Sequence, residues 1–449
     1  KFKNIKFNIK CKLNGIKNDF SDFMRRMPCS DILNQINNKY RVNALKTNIK
    51  KCKNPKDLTN KYYSKIAYVT QNVAEKALVH LANDIYKKTK SKNICIAGGV
   101  GLNSVSNKKI LDKTKFKNIF IFPACSDSGI PFGLAIWGYY NLSELGSFKR
   151  KKLKFPNAYT GGEYNSKYIV KCLQKYKVKY EEVKLKNVAH IISKGNIVGF
   201  FQGRSEYGPR ALGNRSILAD SRRKNMKEIL NKRVKHRESF RPFAPSVLEE
   251  HSRKYFDIKC KSPYMLLIAK VKKPKVVPAI THVDGTARIQ TVSKHQNEKF
   301  YSLIKEFGKI TGVPCLLNTS FNDAGDPIVE SPEDALETFF KCDMDYLYID
   351  NYLVKKTSIA KNNFILRKLK SDIKNTIIRK RKILKKKYFK NYSLQDCKKF
   401  IKASNNKAVY NTIEKCVAEF EEKIREWIKY KKRIIIVGTE DHTKLLFDK

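Results

Sequence analysis

Short apolar runs that stop at glycine or proline recur along this chain, separated by stretches with apolar residues at helical spacing. That alternation constrains the fold more than any other feature. Asn93 to Val100 (NICIAGGV) reads as a short buried strand running into a glycine pair, Lys117 to Phe122 (KNIFIF) as a strand closed by Pro123, and Asn196 to Phe201 (NIVGFF) as another buried strand. Tyr264 to Val271 is expected to be a strand as well. Tyr62 to Lys88 sets Ile66, Val69, Val73, Ala77, Leu78 and Leu81 at helical spacing, and Ile130 to Tyr140 and Tyr168 to Lys177 also read as helices. Glu333 to Phe340 is a helix opened by Ser331-Pro332. Strand, glycine turn and helix in alternation predict α/β architecture.

At 449 residues the chain is long enough for two or three domains. With 41% hydrophobic and 11% aromatic residues it can bury real cores, which excludes a wholly disordered protein, a collagen-like repeat or a small disulfide scaffold. No run approaches the roughly 18 apolar residues of a membrane helix. The first twelve residues carry five lysines and no secretory signal, and the chain opens on Lys1, as a fragment or processed product would. Eleven cysteines, none spaced as a zinc ribbon or redox pair, read as free thiols in a reducing, cytoplasmic setting. The composition shifts between Gly146 and Tyr164 as at a linker, and again beyond Lys356. Ile365 to Lys390 carries twelve Lys or Arg against one acid, Asp372, which predicts a basic amphipathic helix or pair of helices. Arg433 to Lys449 is expected to be a strand, a turn at Gly438 and a helix, the opening of a nucleotide-binding-type unit.

The net charge of +53 comes from 75 Lys and only 19 Arg, in a chain also rich in Asn, Ile, Tyr and Phe. Such lysines read as a composition bias spread over solvated faces, so nucleic acid is a possible partner but not the favoured one. The arginines are different. Eight of the 19 fall between Arg204 and Arg241, where the planar five-donor fork suits bidentate binding of phosphate or carboxylate. Within GRSEYGPRALGNRSILAD (Gly203 to Asp220), three glycines allow close backbone approach, while Arg204, Arg210, Arg215 and Ser216 supply donors for a phosphate or acyl phosphate. KHRESFRPFAP (Lys235 to Pro245), HVDGTARIQ (His282 to Gln290) and NTSFN (Asn318 to Asn322) add cationic and polar groups beside short strands.

These segments, with IAGGVGLNSVSNKKI (96–110), IFPACSDSGIPFG (121–133), TGVPCLLNTSFN (311–322) and GDPIVESPEDAL (325–336), resemble the O-carbamoyltransferases of nodulation-factor and antibiotic biosynthesis. The match runs in the family's order over roughly residues 62 to 355. The resemblance implies a partial actin/hexokinase-like domain (1–150) followed by a YrdC-like α/β domain (151–356). A basic helical extension (357–430) and the start of a Rossmann-like unit (431–449) complete the expected organisation. It further implies that the YrdC-like domain makes carbamoyl adenylate from carbamoyl phosphate and ATP with Mg2+, and that the first domain transfers the carbamoyl group to a hydroxyl of an acceptor. By that likeness Arg210, Lys235, Arg241 and Arg288 bind phosphate and carbamoyl groups and neutralise the transition state. Asn318 and Ser320 orient the carbamoyl or nucleotide group, Arg204, Arg215 and Ser216 bind substrate, and Gly98, Gly99 and Asn103 line a nucleotide pocket. Asp127 matches a metal-binding Asp, with Fe2+ or another divalent ion the expected metal. The family's preceding His-x-x-x-His pair has no counterpart, since His80 is the only histidine before Asp127. A separate polypeptide supplying that half, a fragment, or loss of the transfer step would each account for this. Two alternatives remain from the residues alone: a nucleic-acid-associated relative of the tRNA threonylcarbamoyl-adenylate machinery, and a non-catalytic scaffold.

Overall fold

A computed structural model of the protein describes residues 61–144, 157–238, 240–357, 361–362, 364, 434–438 and 443–447. The chain divides into two compact units, Lys1–Val69 and Thr70–Lys449. Of the first, residues 61–69 are described, as the opening turns of helix α1 (Lys61–Thr89). The architecture that follows belongs to the second.

Strands β1 (Asn93–Ile96) and β2 (Asn118–Ile121) pair in parallel. A 3-10 turn, Gly99–Leu102, and helix α2 (Ser104–Lys113) make the crossover that parallel pairing requires. The burial expected for NICIAGGV is not found: β1 alternates exposed and half-buried residues. Its extended run stops at Ile96 because Gly98 takes φ +94° and the chain turns. Helix α3 (Ile130–Glu144) follows, with Ile130, Leu134 and Trp137 each more than half exposed.

The larger part is organised by a mixed sheet of eight strands. In spatial order they are β3 (Glu181–Glu182), β12 (Tyr352–Lys355), β11 (Tyr346–Ile349), β4 (Val198–Phe201), β5 (Arg215–Asp220), β10 (Cys315–Ser320), β6 (Ala244–Leu248) and β9 (Gln290–Val292). The pairs β4–β11 and β6–β9 are parallel, and all other neighbours are antiparallel. Side chains alternate between two cores, as the period-2 geometry of a strand dictates. Phe201, Ile217, Leu317 and Leu347 share one core with helices α4 (Ser166–Lys175), α6 (Met226–Leu230), α7 (Ser252–Tyr255) and α9 (Pro332–Lys341). Phe200, Leu218, Leu316 and Tyr348 share the other with α5 (Leu185–Ser193) and α8 (Glu298–Thr311). The result is a helix–sheet–helix sandwich, and burial on both faces explains why Val198–Phe201 is apolar throughout.

Helix α9 begins as Ser331-Pro332 predicts. The Ser331 hydroxyl accepts from the Asp334 N–H at 3.1 Å, and the Asp334 carboxylate accepts from the Ser331 N–H at 2.9 Å. The strand expected over Tyr264 to Val271 shortens to β7 (Ile268–Lys270), paired with β8 (Thr286–Arg288), because Met265 at φ +57° breaks the extended run. At the far end β13 (Ile434–Gly438) matches the expected strand. The helix expected after Gly438 is instead β14 (Thr443–Phe447), which satisfies its backbone by pairing antiparallel with β13. The basic helices expected over 365–390 lie outside the described residues. No helix among the described residues is long and apolar enough to cross a membrane.

Candidate functional site

The stretch from Gln202 to Asn214 is a loop between the neighbouring antiparallel strands β4 and β5. Its shape is held from inside. The Glu206 carboxylate accepts from the backbone N–H of Leu212, Asn214 and Arg215 at 2.7, 2.8 and 3.2 Å. Gln202 donates to the Gly213 carbonyl and to the side chains of Asn214 and Asn297, and Asn297 donates to Asn214 at 2.8 Å. Two glycines are required by space. Gly208 has φ +128°, and a Cβ there would lie 2.7 Å from the Pro123 carbonyl. Gly213 has φ +112°, and a Cβ would lie 2.2 Å from the Phe300 ring.

Arg215, at the start of β5, is completely buried and stacks on Phe201 with its guanidinium carbon 3.7 Å from the ring centroid. It donates to the carbonyls of Gln202, Gly203, Asn214, Gly162 and Glu330. The expected ligand donor is therefore engaged in tying the loop together. Ser216 is likewise internal, its hydroxyl accepting from the Gly213 N–H at 2.9 Å.

Arg210 and Arg288 stand in contrast. The Nε of each is buried and has no hydrogen-bond partner. Burial pushes the Arg288 guanidinium down to about 9, and the cations of Arg210 and Arg237 add to the shift. Arg210 is also lowered by burial, with the Cys125 thiol acting in the opposite sense. Arg237 is lowered by burial and by Arg241; its Nε donates to Asn231 at 3.0 Å and its guanidinium lies over Phe243. Lys235 belongs to the same field. Burial, followed by Arg237, pushes it down to about 7. Its ammonium meets oxygens of Ser320 and Asn322 at 2.5 to 3.2 Å and so fastens the end of β10. Arg210, Arg288, Arg237 and Lys235 thus form one electrostatically linked group, drawn from the loop, β8 and the turn after α6. Buried like charges with open N–H donors are a receptor for an anion.

The other expected residues are dispersed. Arg241 is exposed and paired with Glu238 at 2.6 Å, though its charge reaches Arg237. Arg204 is exposed beside Glu163 at 3.4 Å. The Asn318 amide donates to Ser246 at 2.9 Å and to Gln290 at 3.1 Å, while its buried Oδ1 has no partner. Ser320 touches Lys235 and donates to Asn322. Asn103 caps α2 by accepting from the Ser106 N–H at 3.1 Å and donates to Gln71, and a Cβ on Gly98 would meet nothing within 4 Å. Asp127 is exposed at a 3-10 turn, and the described residues gather no set of three metal-ligating side chains. Among the described residues, one carboxylate without companions does not fit a resident iron.

Sequence reasoning left Arg237 and His282 out of the candidate site, although both lie within its quoted motifs. His282 Nε2 is buried without a partner. A separate open cleft of about 500 Å3 is lined by Phe132, Gly161, Gly162, Tyr207 and Glu330, among others. It has no arginine in its lining. The β2–α3 turn closes against the Arg210 loop: Tyr207 donates its hydroxyl proton to the Ser128 carbonyl, and Cys125 lies within the field of Arg210.

Residues 189–356 match the family described as Carbamoyltransferase C-terminus and residues 18–136 match Carbamoyltransferase N-terminus, so the likeness begins well ahead of the helix at 62. An uncharacterised protein of Synechocystis is 41% identical over 323 residues, 65% of this chain and 52% of that one. Nodulation protein NolO of Bradyrhizobium diazoefficiens is 39% identical over 296 residues, 64% of this chain and 53% of that one. The chain spans about half the length of such relatives. Among solved structures, full-length HypF in a phosphate- and nucleotide-bound form aligns at 19% identity and TM-score 0.27, over 39% of this chain and 22% of that one. With both family regions present in order, the chain belongs to the carbamoyltransferase family.

Proposed function

We propose that the chain is an O-carbamoyltransferase whose eight-stranded part is a YrdC-like domain that binds carbamoyl phosphate and ATP at the Arg210–Arg237–Arg288 group. The observation that carries this reading is the pair of buried guanidinium Nε groups without partners, set in a field of like charge. Bringing an anion there removes the repulsion and fills the open donors at once. One water hydrolyses carbamoyl phosphate to carbamate and inorganic phosphate, with release of a proton. A carbamate oxygen then attacks the α-phosphorus of ATP, giving carbamoyl adenylate and pyrophosphate. In the second half an acceptor hydroxyl attacks the carbamoyl carbon, AMP leaves, and the hydroxyl proton is released. Mg2+ accompanies the polyphosphate of ATP. Arg210 and Arg288 neutralise charge on the phosphates, Arg237 supports them, and Lys235 keeps the end of β10, with Ser320, in place. The partial actin/hexokinase-like assignment of the N-terminal part and its transfer role belong to the same proposal.

The test is pyrophosphate release from ATP with and without carbamoyl phosphate, no acceptor added, with carbamoyl adenylate detected by mass spectrometry. Release is expected to depend on carbamoyl phosphate and to fall about 100-fold in Arg288→Gln, the scale for losing one preorganised charge donor. No release from folded protein, or an unchanged rate in the variant, would sink the reading and favour a non-catalytic role.

A further inference from the structure

Asn318, in β10, is 1% exposed, yet its Oδ1 has no hydrogen-bond partner. The other end of the same amide is crowded. Its Nδ2 donates to the Ser246 hydroxyl at 2.9 Å, to Gln290 Oε1 at 3.1 Å and to the Ala211 carbonyl at 3.3 Å. Ser246 gives its own proton to Gln290 Oε1 at 2.6 Å, and Gln290 Nε2 is held by the Leu212 carbonyl at 2.7 Å. Toward Asn318 all three neighbours can therefore only accept, and a flipped amide would set oxygen against oxygen. The orientation is fixed, and Oδ1 is left as a buried acceptor turned away from them with its lone pairs open. Hydrogen bonds place this amide beside the cationic group. Ala211 directly follows Arg210 in the chain. Ala287 and Ile289 lie in the first core, so the two-residue period turns Arg288 and Gln290 to the opposite side, where Gln290 grips the Asn318 amide.

We propose that Asn318 Oδ1 accepts a hydrogen bond from the NH2 of carbamoyl phosphate, so that the site selects this substrate over acyl phosphates of equal size and charge. This rests on the anion-site reading, and it goes beyond the family likeness, which leaves Asn318 either a carbamoyl or a nucleotide group and gives it no part in selectivity. A bare carbonyl oxygen repels the unprotonated oxygens of a phosphate dianion, which the guanidinium N–H groups attract instead. The carbamoyl NH2 is the one donor that carbamoyl phosphate carries, and it lies next to the phosphate. Acetyl phosphate has a methyl group at that position. It would fill the same space and leave a fixed, buried acceptor unpaired, and that cost is the source of the discrimination.

The probes are carbamoylphosphonate and acetylphosphonate, stable analogues alike in shape that differ in NH2 against CH3. Their affinities for the full chain are measured by calorimetry at pH 8, where both are dianions. The unsubstituted chain is expected to bind carbamoylphosphonate about 10- to 100-fold more tightly, the scale for one buried acceptor left unpaired. In Asn318→Ala, or in Asn318→Val should the alanine chain not fold, that ratio is expected to fall to about threefold or less. General damage to the site would weaken both ligands alike and leave the ratio standing. Equal affinities in the unsubstituted chain, or a preference that survives the substitution, overturn the proposal alone. Absence of saturable binding by either phosphonate, or binding indifferent to Arg288→Gln, overturns the anion site and this proposal with it.

Discussion

The two parts of the second unit are built on opposite principles. Around β1, β2 and α3, apolar side chains stand outside: Val100, Phe120, Leu134 and Trp137 are all exposed. In the eight-stranded sheet the unusual feature is polar groups inside. Gln202, Asn214, Arg215, Ser246, Gln290, Asn297 and Asn318 are all buried, and most of their hydrogen-bonding atoms find partners. The sheet part therefore closes most of its own hydrogen-bond accounts, and the donors left open include the Nε of Arg210 and of Arg288. A buried arginine can serve either end. Arg215 is consumed by carbonyls, whereas Arg288 is held in reserve by the lack of them.

Three substitutions test that contrast, in order of expected effect. Arg215→Met removes the donor shared by five carbonyls and is expected to cost about 3–5 kcal/mol, read as a lower denaturant midpoint; a change under about 1 kcal/mol would mean the loop is held by other means. Gly213→Ala forces a Cβ into the Phe300 ring at a positive φ, and a loss of about 2–4 kcal/mol is expected by the same measurement. Trp137→Ser, on the exposed face of α3, should change stability by less than about 0.5 kcal/mol in the isolated chain. A melting temperature lowered by several degrees would show that this face is packed in solution and would break the comparison.

One strand of the eight-stranded sheet, β4, could be read from sequence because it is buried on both faces, and an unbroken apolar run such as IVGFF has few other uses. Ser331-Pro332 announced α9 through local capping chemistry that needs no tertiary information. The misses have a common cause. Whether NICI is covered, where Met265 interrupts a strand and what pairs with Thr443–Phe447 all depend on distant neighbours. The arginines posed the same difficulty more sharply. Arg210, Arg215 and Arg288 are equivalent as letters, and the five carbonyls that gather round Arg215, two of them from distant Gly162 and Glu330, set the structural one apart.

The two edges of the sheet bear on how the protein behaves in a crowded solution. One edge, β3, is two residues long and both are exposed glutamates. Too few backbone amides are offered there for a foreign strand to add, and any strand that approached would meet negative charge. At the other edge, β9, the Thr291 N–H donates to the Ser262 carbonyl and its hydroxyl accepts from the Ser262 N–H. A segment from elsewhere in the chain thus already engages that border. Brevity and acid guard one side and a covering loop guards the other, so this broad, strongly apolar sheet is protected from templating its own aggregation.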